Sequence, residues 1–201
     1  MLSLKLTTIA ILATLTVAAP SPAPAPASTV TSITTSTEEV ATKPFSFSQW
    51  VDDILNPNVV ALTPEQALKA YYQSINGTTT GTGEKATELA KRAGATCETD
   101  NSKRMPVADA VYLVNTMAAA GQELVHIPIP FCSKSVCSSP SGRSSLIGQK
   151  DCNLWVEEPS EYWARAGGLI MDACTWGDKS GGKIVMPANQ FITVLLYGQG
   201  Y

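Results

Sequence analysis

The sequence predicts a small α+β module at its C-terminal end, with an antiparallel sheet and two helices packed on one face, a split βαβ-like two-layer sandwich. Two observations predict it. Residues 93–201 follow the order strand, helix, strand, strand, helix, strands, as a split βαβ unit does. This region also holds all the cysteines of the chain, which are Cys97, Cys132, Cys137, Cys152 and Cys174. A body of this size buries roughly two thirds of its unfolded surface, so disulfides reinforce a core rather than replace one.

Residues 1–18 are predicted to be a signal peptide. Lys5 precedes an apolar stretch from Leu6 to Val17, and the small residues Ala18-Ala19 follow. A transmembrane anchor is the alternative, but it needs about 20 apolar residues and this run is shorter. We therefore expect a secreted, extracellular protein that does not span a membrane.

Residues 19–92 are predicted to be a propeptide, partly disordered, with two short amphipathic helices. Its beginning is rich in Pro and Ala and then in Ser and Thr, a composition that does not fold. Trp50, with the apolar residues around it, gives the first helix an apolar face; Ser48 precedes that face. Thr63, Pro64 and Gln66 form a capping-box pattern that predicts the start of the second helix.

The basic pair Lys91-Arg92 is the predicted processing site, because a polar, glycine-containing stretch precedes it and every cysteine follows it. Cleavage there gives a mature protein that begins at Ala93. The alternative is a permanent N-terminal domain with an incidental Lys-Arg. Asn76 begins the single N-glycosylation sequon of the sequence and is a candidate glycosylation site.

The first helix of the module is predicted between Pro106, which suits a first helical position, and Gly121, which suits a helix stop. The segment ELVHIPIPFC alternates like a strand, and its prolines place it at a sheet edge. KSVCSSPSGRSS is predicted as a loop and SSLIGQ as a short strand.

The second helix is predicted to begin near Pro159. Gly167-Gly168 in its interior costs about 1 kcal/mol per glycine relative to alanine. Close approach to the sheet or to the other helix explains such a pair. A turn at GDKSGGK and two closing strands within KIVMPANQFITVLLY complete the module.

Five cysteines allow two bridges and one thiol in fifteen arrangements, and the sequence alone does not choose among them. A helix between Cys152 and Cys174 would span roughly 20 Å, too far for a direct bond. We therefore expect Cys132–Cys174 and Cys97–Cys152, with Cys137 as the free thiol. Zinc ligation is disfavoured because there is no CxxC pair.

No catalytic set, metal site or cofactor is expected. Acidic and basic residues nearly balance, 17 against 14, without a basic cluster for nucleic acid. His126 is the single histidine and lies among apolar residues, and no GxSxG motif is present. A glycosidase-like carboxylate pair is the alternative, with candidates Glu157, Glu158, Glu161 and Asp172. Acidic side chains clustered at the start of a helix are instead expected to interact favourably with the positive end of the helix dipole.

The predicted module contains three tryptophans, a large number for its size: Trp155, Trp163 and Trp176. We expect them in the core and at its rim, and we choose the surface around the second helix near these residues as the candidate binding region. Aromatic anchors with polar surroundings concentrate binding energy in interfaces.

The segments ADAVYLVNTMAAAG, FC, DCN, ARAGGLIMDACT and FITVLLY resemble small secreted fungal proteins related to killer toxins of smut fungi and to extracellular necrosis-inducing effectors. The WVDDILNPN and LTPEQALKAYY segments look like the pro-regions of such proteins. Cys97, Cys132, Cys152 and Cys174 match that pattern, Cys137 is extra, and a cysteine found after the first helix is replaced by Leu124-Val125-His126.

The resemblance implies a disulfide-held α/β sandwich, kexin-type processing at Lys91-Arg92 and action on another organism or its membrane channels, without enzymatic activity. The expected function is that of a secreted fungal effector, in virulence, or a killer-toxin-like protein. Such a protein binds a host or competitor target, whether protein, channel or glycan, as a monomer. The alternative is a secreted hydrolase or a cell-wall carbohydrate-binding protein.

Overall fold

The structure, a computed structural model, describes residues 45–76 and 94–198. These residues form an α+β fold with antiparallel sheets. Its helices are α1 (Phe47–Leu55), α2 (Pro64–Asn76), α3 (Val107–Ala120) and α4 (Ser160–Cys174). The predicted signal peptide and the Lys91-Arg92 pair lie outside the described residues.

The strands are short. They are β1 (Thr96–Cys97), β2 (Met105–Pro106), β3 (Leu124–Ile127), β4 (Ser133–Ser138), β5 (Ser145–Gln149), β6 (Val156–Pro159), β7 (Thr175–Trp176), β8 (Lys179–Ser180), β9 (Gly182–Val185) and β10 (Thr193–Tyr197).

The strands form three antiparallel sheets rather than the single sheet predicted. The largest has the order β1-β9-β10-β5-β4, and β2-β8-β7 and β3-β6 form two smaller ones. The two closing strands pair directly with each other, with Leu195 opposite Lys183. Among the described strands, the proline-flanked strand β3 pairs only with β6, so it lies in a separate two-stranded ribbon instead of at the edge of the main sheet.

The prediction of a loop over KSVCSSPSGRSS is wrong in its first half. Residues Ser133–Ser138 form β4, which pairs with β5 at the edge of the main sheet and has a register shift between Ser135 and Cys137. The serine-rich sequence of β4 is not typical of a strand. An exposed edge strand tolerates such a sequence, because it needs backbone pairing on one side only.

Local signals placed the helices well. Gly121, with φ +54°, ends α3, and α4 begins directly after Pro159. Thr63 and Gln66 make both bonds of a capping box at the start of α2, with distances of 2.9 and 3.3 Å. The N-cap residue of α1 is Ser46, whose hydroxyl accepts a bond from the Gln49 amide.

The glycine pair of α4 faces two different helices. A Cβ at Gly167 would lie 2.7 Å from Val114 Cγ2 of α3, which is the close helix approach that the sequence predicts. A Cβ at Gly168 would lie 3.0 Å from the Ser48 Cα and 3.2 Å from Val51 Cγ2 of α1. The second glycine therefore makes room for the N-terminal helix.

The predicted disulfide pairing is wrong, because the bonds are Cys97–Cys174 and Cys132–Cys152. Strand β1 pairs with β9 so that Cys97 lies opposite Gly182. A Cβ at Gly182 would meet Cys174 Sγ at 3.1 Å, so this strand pairing brings Cys97 to the end of α4.

The second bond closes the turn that follows the ribbon strand β3. The Lys150 amide donates to the Cys132 carbonyl at 2.8 Å, so the chain before β4 runs beside the chain after β5. Cys132 thereby meets Cys152. Cys137 carries a free thiol within β4, and not in a loop as predicted.

Within the described ranges, no helix is both long and apolar enough to cross a membrane.

Candidate functional site

The N-terminal helices α1 and α2 pack against the module, and a carboxylate of the module accepts hydrogen bonds from the first amides of α1. Asp172 of α4 accepts bonds from the Phe47 amide at 2.5 Å and the Ser48 amide at 3.1 Å. The hydroxyls of Ser46 and Ser48 donate to the same carboxylate at 2.8 and 2.5 Å. The first amides of a helix have no partner within the helix, and a negative charge there is favourable. Asp172 therefore supplies from the module what α1 lacks.

The aromatic side chains of the N-terminal helices are buried. Phe47 and Trp50 are each 2% exposed, and Val51 and Tyr71 are buried with them. The Phe47 and Tyr71 rings have centroids 5.2 Å apart, and the Trp50 indole donates to the Leu62 carbonyl at 2.8 Å. Each such side chain contributes about 1.5–3 kcal/mol on burial, so α1 and α2 share the core of the module.

Tyr71 also bonds the hairpin that follows α4. Its phenol donates to the Gly177 carbonyl at 2.9 Å, and burial, with the neighbouring Tyr72, raises the pKa of Tyr71 to about 12. The hairpin also contacts the buried Arg104, whose guanidinium lies 3.7 Å from the centroid of the Trp176 ring. That guanidinium also donates to the Lys179 carbonyl.

We call this surface, comprising Asp172, Gly168 and the Gly177 carbonyl with residues 45–76 on it, the segment contact. An exposed ion pair between Arg165 and Asp52 lies at its edge. From the sequence, Asp172 is a candidate only as a carboxylate for catalysis. Its spacing of four from Gly168, which puts both on one helix face, is the signal that could have marked a helix-docking site.

A second feature is an exposed group of side chains on the β3–β6 ribbon and the turn after it. Trp155 is 56% exposed and Phe131 is 57% exposed, and Leu124 and Ile129 are also largely exposed. The Cys132–Cys152 bond closes this turn. We call these residues, with His126 and Glu157, the ribbon patch.

The polar members of the ribbon patch pair across the two strands. His126 lies opposite Glu157, and its Nδ1 is 3.0 Å from the Glu157 carboxylate. The Trp155 ring lies 6.1 Å from the His126 ring, and Lys134 donates to the His126 carbonyl at 2.9 Å. The ribbon patch thus combines exposed apolar side chains with the polar and charged side chains of His126, Glu157 and Lys134.

A groove of about 340 Å³ lies beside the ribbon, between the end of α3, β3 and β4. Its lining includes Met117, Val136, His126, Lys134 and Cys137. Burial raises the pKa of the Cys137 thiol, so the thiol is held protonated and is a weak nucleophile.

The three tryptophans chosen as binding candidates do not share a surface. Trp155 is exposed on the ribbon, but Trp163 is fully buried and cannot contact a partner in this fold. A Cβ at Gly148 of β5 would lie 2.5 Å from the Trp163 ring, which shows how tightly the sheet covers it. Trp176 is partly buried beneath Arg104. The candidate region therefore reduces to Trp155 and its neighbours, which the sequence pattern did not group.

The carboxylates considered for catalysis have separate partners. Glu157 faces His126, while Glu158 accepts a bond from the Asn189 side chain at 2.7 Å. Glu161 lies in the first turn of α4, and Asp172 accepts hydrogen bonds from the first amides of α1. No group of three or more potential metal ligands occurs in the part of the chain that the structure describes. The glycosylation candidate Asn76 is exposed at the last position of α2.

Comparison with known families gives one match. Residues 92–197 match the family described as Domain of unknown function (DUF8794). The chain belongs to this family. The family domain begins at Arg92, so it contains the ribbon patch and the module side of the segment contact, and leaves out α1 and α2. No curated protein and no solved structure matches the chain.

Proposed function

We propose that the chain is the precursor of a secreted fungal effector or killer-toxin-like protein that binds an extracellular target of a host or competitor through the ribbon patch. Cleavage follows Lys91-Arg92, and the resulting module is a two-layer sandwich that does not associate with further copies of itself. Activity comes from binding and not from catalysis.

The exposure of Trp155 and Phe131 on a disulfide-closed ribbon carries this proposal. Exposed apolar groups with a charged border mark binding surfaces, and aromatic anchors dominate interface energies. The Cys132–Cys152 bond fixes the turn that bears Phe131, which reduces the entropy lost on binding.

The boundary of the family domain supports processing. The domain starts at the second residue of the basic pair. Both disulfides join cysteines from within this domain, so neither bond links it to residues 45–76. Cleavage of one peptide bond therefore leaves no covalent link between the two parts. N-terminal sequencing of the secreted protein should find Ala93 as the first residue.

The test of binding compares matched variants of the secreted protein. Trp155→Ala and Phe131→Ala should each abolish growth inhibition or cell death in a susceptible target, while Tyr112→Ala, at an exposed aromatic position on α3, should not. His126→Ala, Glu157→Gln and Glu161→Gln should leave turnover undetectable, as in the parent. Turnover of a polysaccharide or ester by the parent, lost in one of these three variants, would contradict the proposal.

A cell-wall glycan is the second candidate target, because Trp155 lies beside the His126–Glu157 pair and presents a flat apolar surface with polar neighbours. Trp50 and Trp163 are buried and Trp176 is stacked, so a fluorescence change on adding chitin, glucan or mannan oligosaccharides reports on Trp155. A saturable change absent from Trp155→Ala would favour the glycan over a protein target.

A further inference from the structure

We infer that residues 45–76 stay bound to the module after cleavage, so that the processed protein is a two-chain, non-covalent complex. This inference rests on the processing step of the proposed function. It assigns to the segment contact a permanent partner, which is the N-terminal segment of the same chain.

The first support is the chemistry of Asp172. Its carboxylate is bonded by two backbone amides and two hydroxyls of residues 46–48. Departure of the segment would leave that carboxylate without these four donors and would expose the first amides of α1. Separation would therefore leave polar groups without these partners on both the module and the segment. This property is typical of a permanent interface.

The second support is shape. Gly168 lacks a side chain where the α1 backbone packs against α4, since a Cβ at this position would lie 3.0 Å from the Ser48 Cα. Glycine in a helix interior weakens the helix relative to alanine. The absence of a side chain at Gly168, which lies within the family domain, therefore leaves space that α1 occupies.

The third support is what the segment leaves uncovered. Trp155 and Phe131 are more than half exposed with α1 and α2 in place. Binding by the ribbon patch consequently requires no departure of the segment. Masking of that patch is therefore not the function of residues 45–76.

The experiment uses the full secreted chain with a recognition sequence for a site-specific protease placed within residues 79–90. After cleavage at about 1 μM protein, size-exclusion chromatography and native mass spectrometry should find both fragments in one species. Elution of the N-terminal fragment apart from the module would overturn the inference.

Variants of α4 identify the surface responsible. Asp172→Asn should weaken retention about tenfold, since charge-assisted bonds are the strong ones, and Gly168→Leu should release the fragment. Arg143→Gln, at an exposed position in the turn between β4 and β5, is the control and should retain it. Circular dichroism and intact disulfides show that each variant has folded before cleavage.

If the fragment is retained equally by Gly168→Leu, Asp172→Asn and the parent, the assigned surface is wrong. The inserted site makes this outcome independent of natural processing, which is judged separately from the N-terminus of the unmodified secreted protein. Absence of an Ala93 terminus would overturn the proposed processing.

Discussion

The segment contact and the ribbon patch use aromatic residues in opposite ways. At the segment contact Phe47, Trp50 and Tyr71 are buried, and the polar atoms of Trp50 and Tyr71 are hydrogen-bonded. On the ribbon patch Trp155 and Phe131 face solvent. Burial makes the first region a contributor to stability, whereas the exposed second region is the surface we propose for recognition. The two regions should therefore respond differently to the same kind of change.

The largest contrast is expected between two tryptophans. Trp50→Ala removes a buried ring and should lower the free energy of unfolding by about 3–5 kcal/mol. Trp155→Ala removes an exposed ring and should change it by less than about 0.5 kcal/mol. Urea denaturation of both variants measures the difference. Equal losses would contradict the division into two regions.

The two disulfides should separate the regions as well. The Cys97–Cys174 bond closes a sequence separation of 77 and contributes about 4 kcal/mol, while Cys132–Cys152 closes one of 20 and contributes about 3 kcal/mol. Cys97→Ser with Cys174→Ser should loosen α4 and the segment contact. Cys132→Ser with Cys152→Ser should loosen the turn of the ribbon patch and reduce target binding. Limited proteolysis locates the loosened region in each double variant.

Alkaline pH should weaken the segment contact through Tyr71. Its pKa in the folded protein is about 12, above the ordinary value near 10. The protonated phenol is therefore favoured by folding, and its contribution is complete below pH 10 and is lost as the pH rises toward 12. Tyr71→Phe should lower stability by about 1 kcal/mol at neutral pH and flatten this alkaline decline. A decline of the same steepness in both proteins would refute the assignment.

The smallest effect is expected at Cys137. Because burial raises the pKa of its thiol, alkylation at pH 8 should be slower than for an exposed cysteine. Denaturation should remove the protection. Mass spectrometry after timed iodoacetamide treatment measures the rate, and fast labelling of the folded protein would show that the thiol is accessible.

The sequence predicted the elements whose ends are set by nearby residues. The Thr63–Gln66 capping box, the stop at Gly121 and the start after Pro159 all act within one helical turn. The close approach of Gly167 to α3 followed from the absence of a side chain. These signals are local, so they can be read without knowledge of the fold.

The remaining features depend on contacts between distant residues. The bond of Cys97 to Cys174 follows from the pairing of β1 with β9, which no short motif encodes. The role of Asp172 depends on a segment more than 120 residues earlier in the chain. Trp163 and Trp155 look alike in sequence, and only the packing of α4 on β5 separates a core residue from an exposed one.

Hydrogen–deuterium exchange on the cleaved protein tests most directly whether the segment contact is permanent while the ribbon patch remains open. The account predicts that the amides of Phe47–Leu55 keep the protection they have before cleavage, and that the ribbon exchanges equally in both forms. Loss of protection in α1, with α4 still protected, would contradict it.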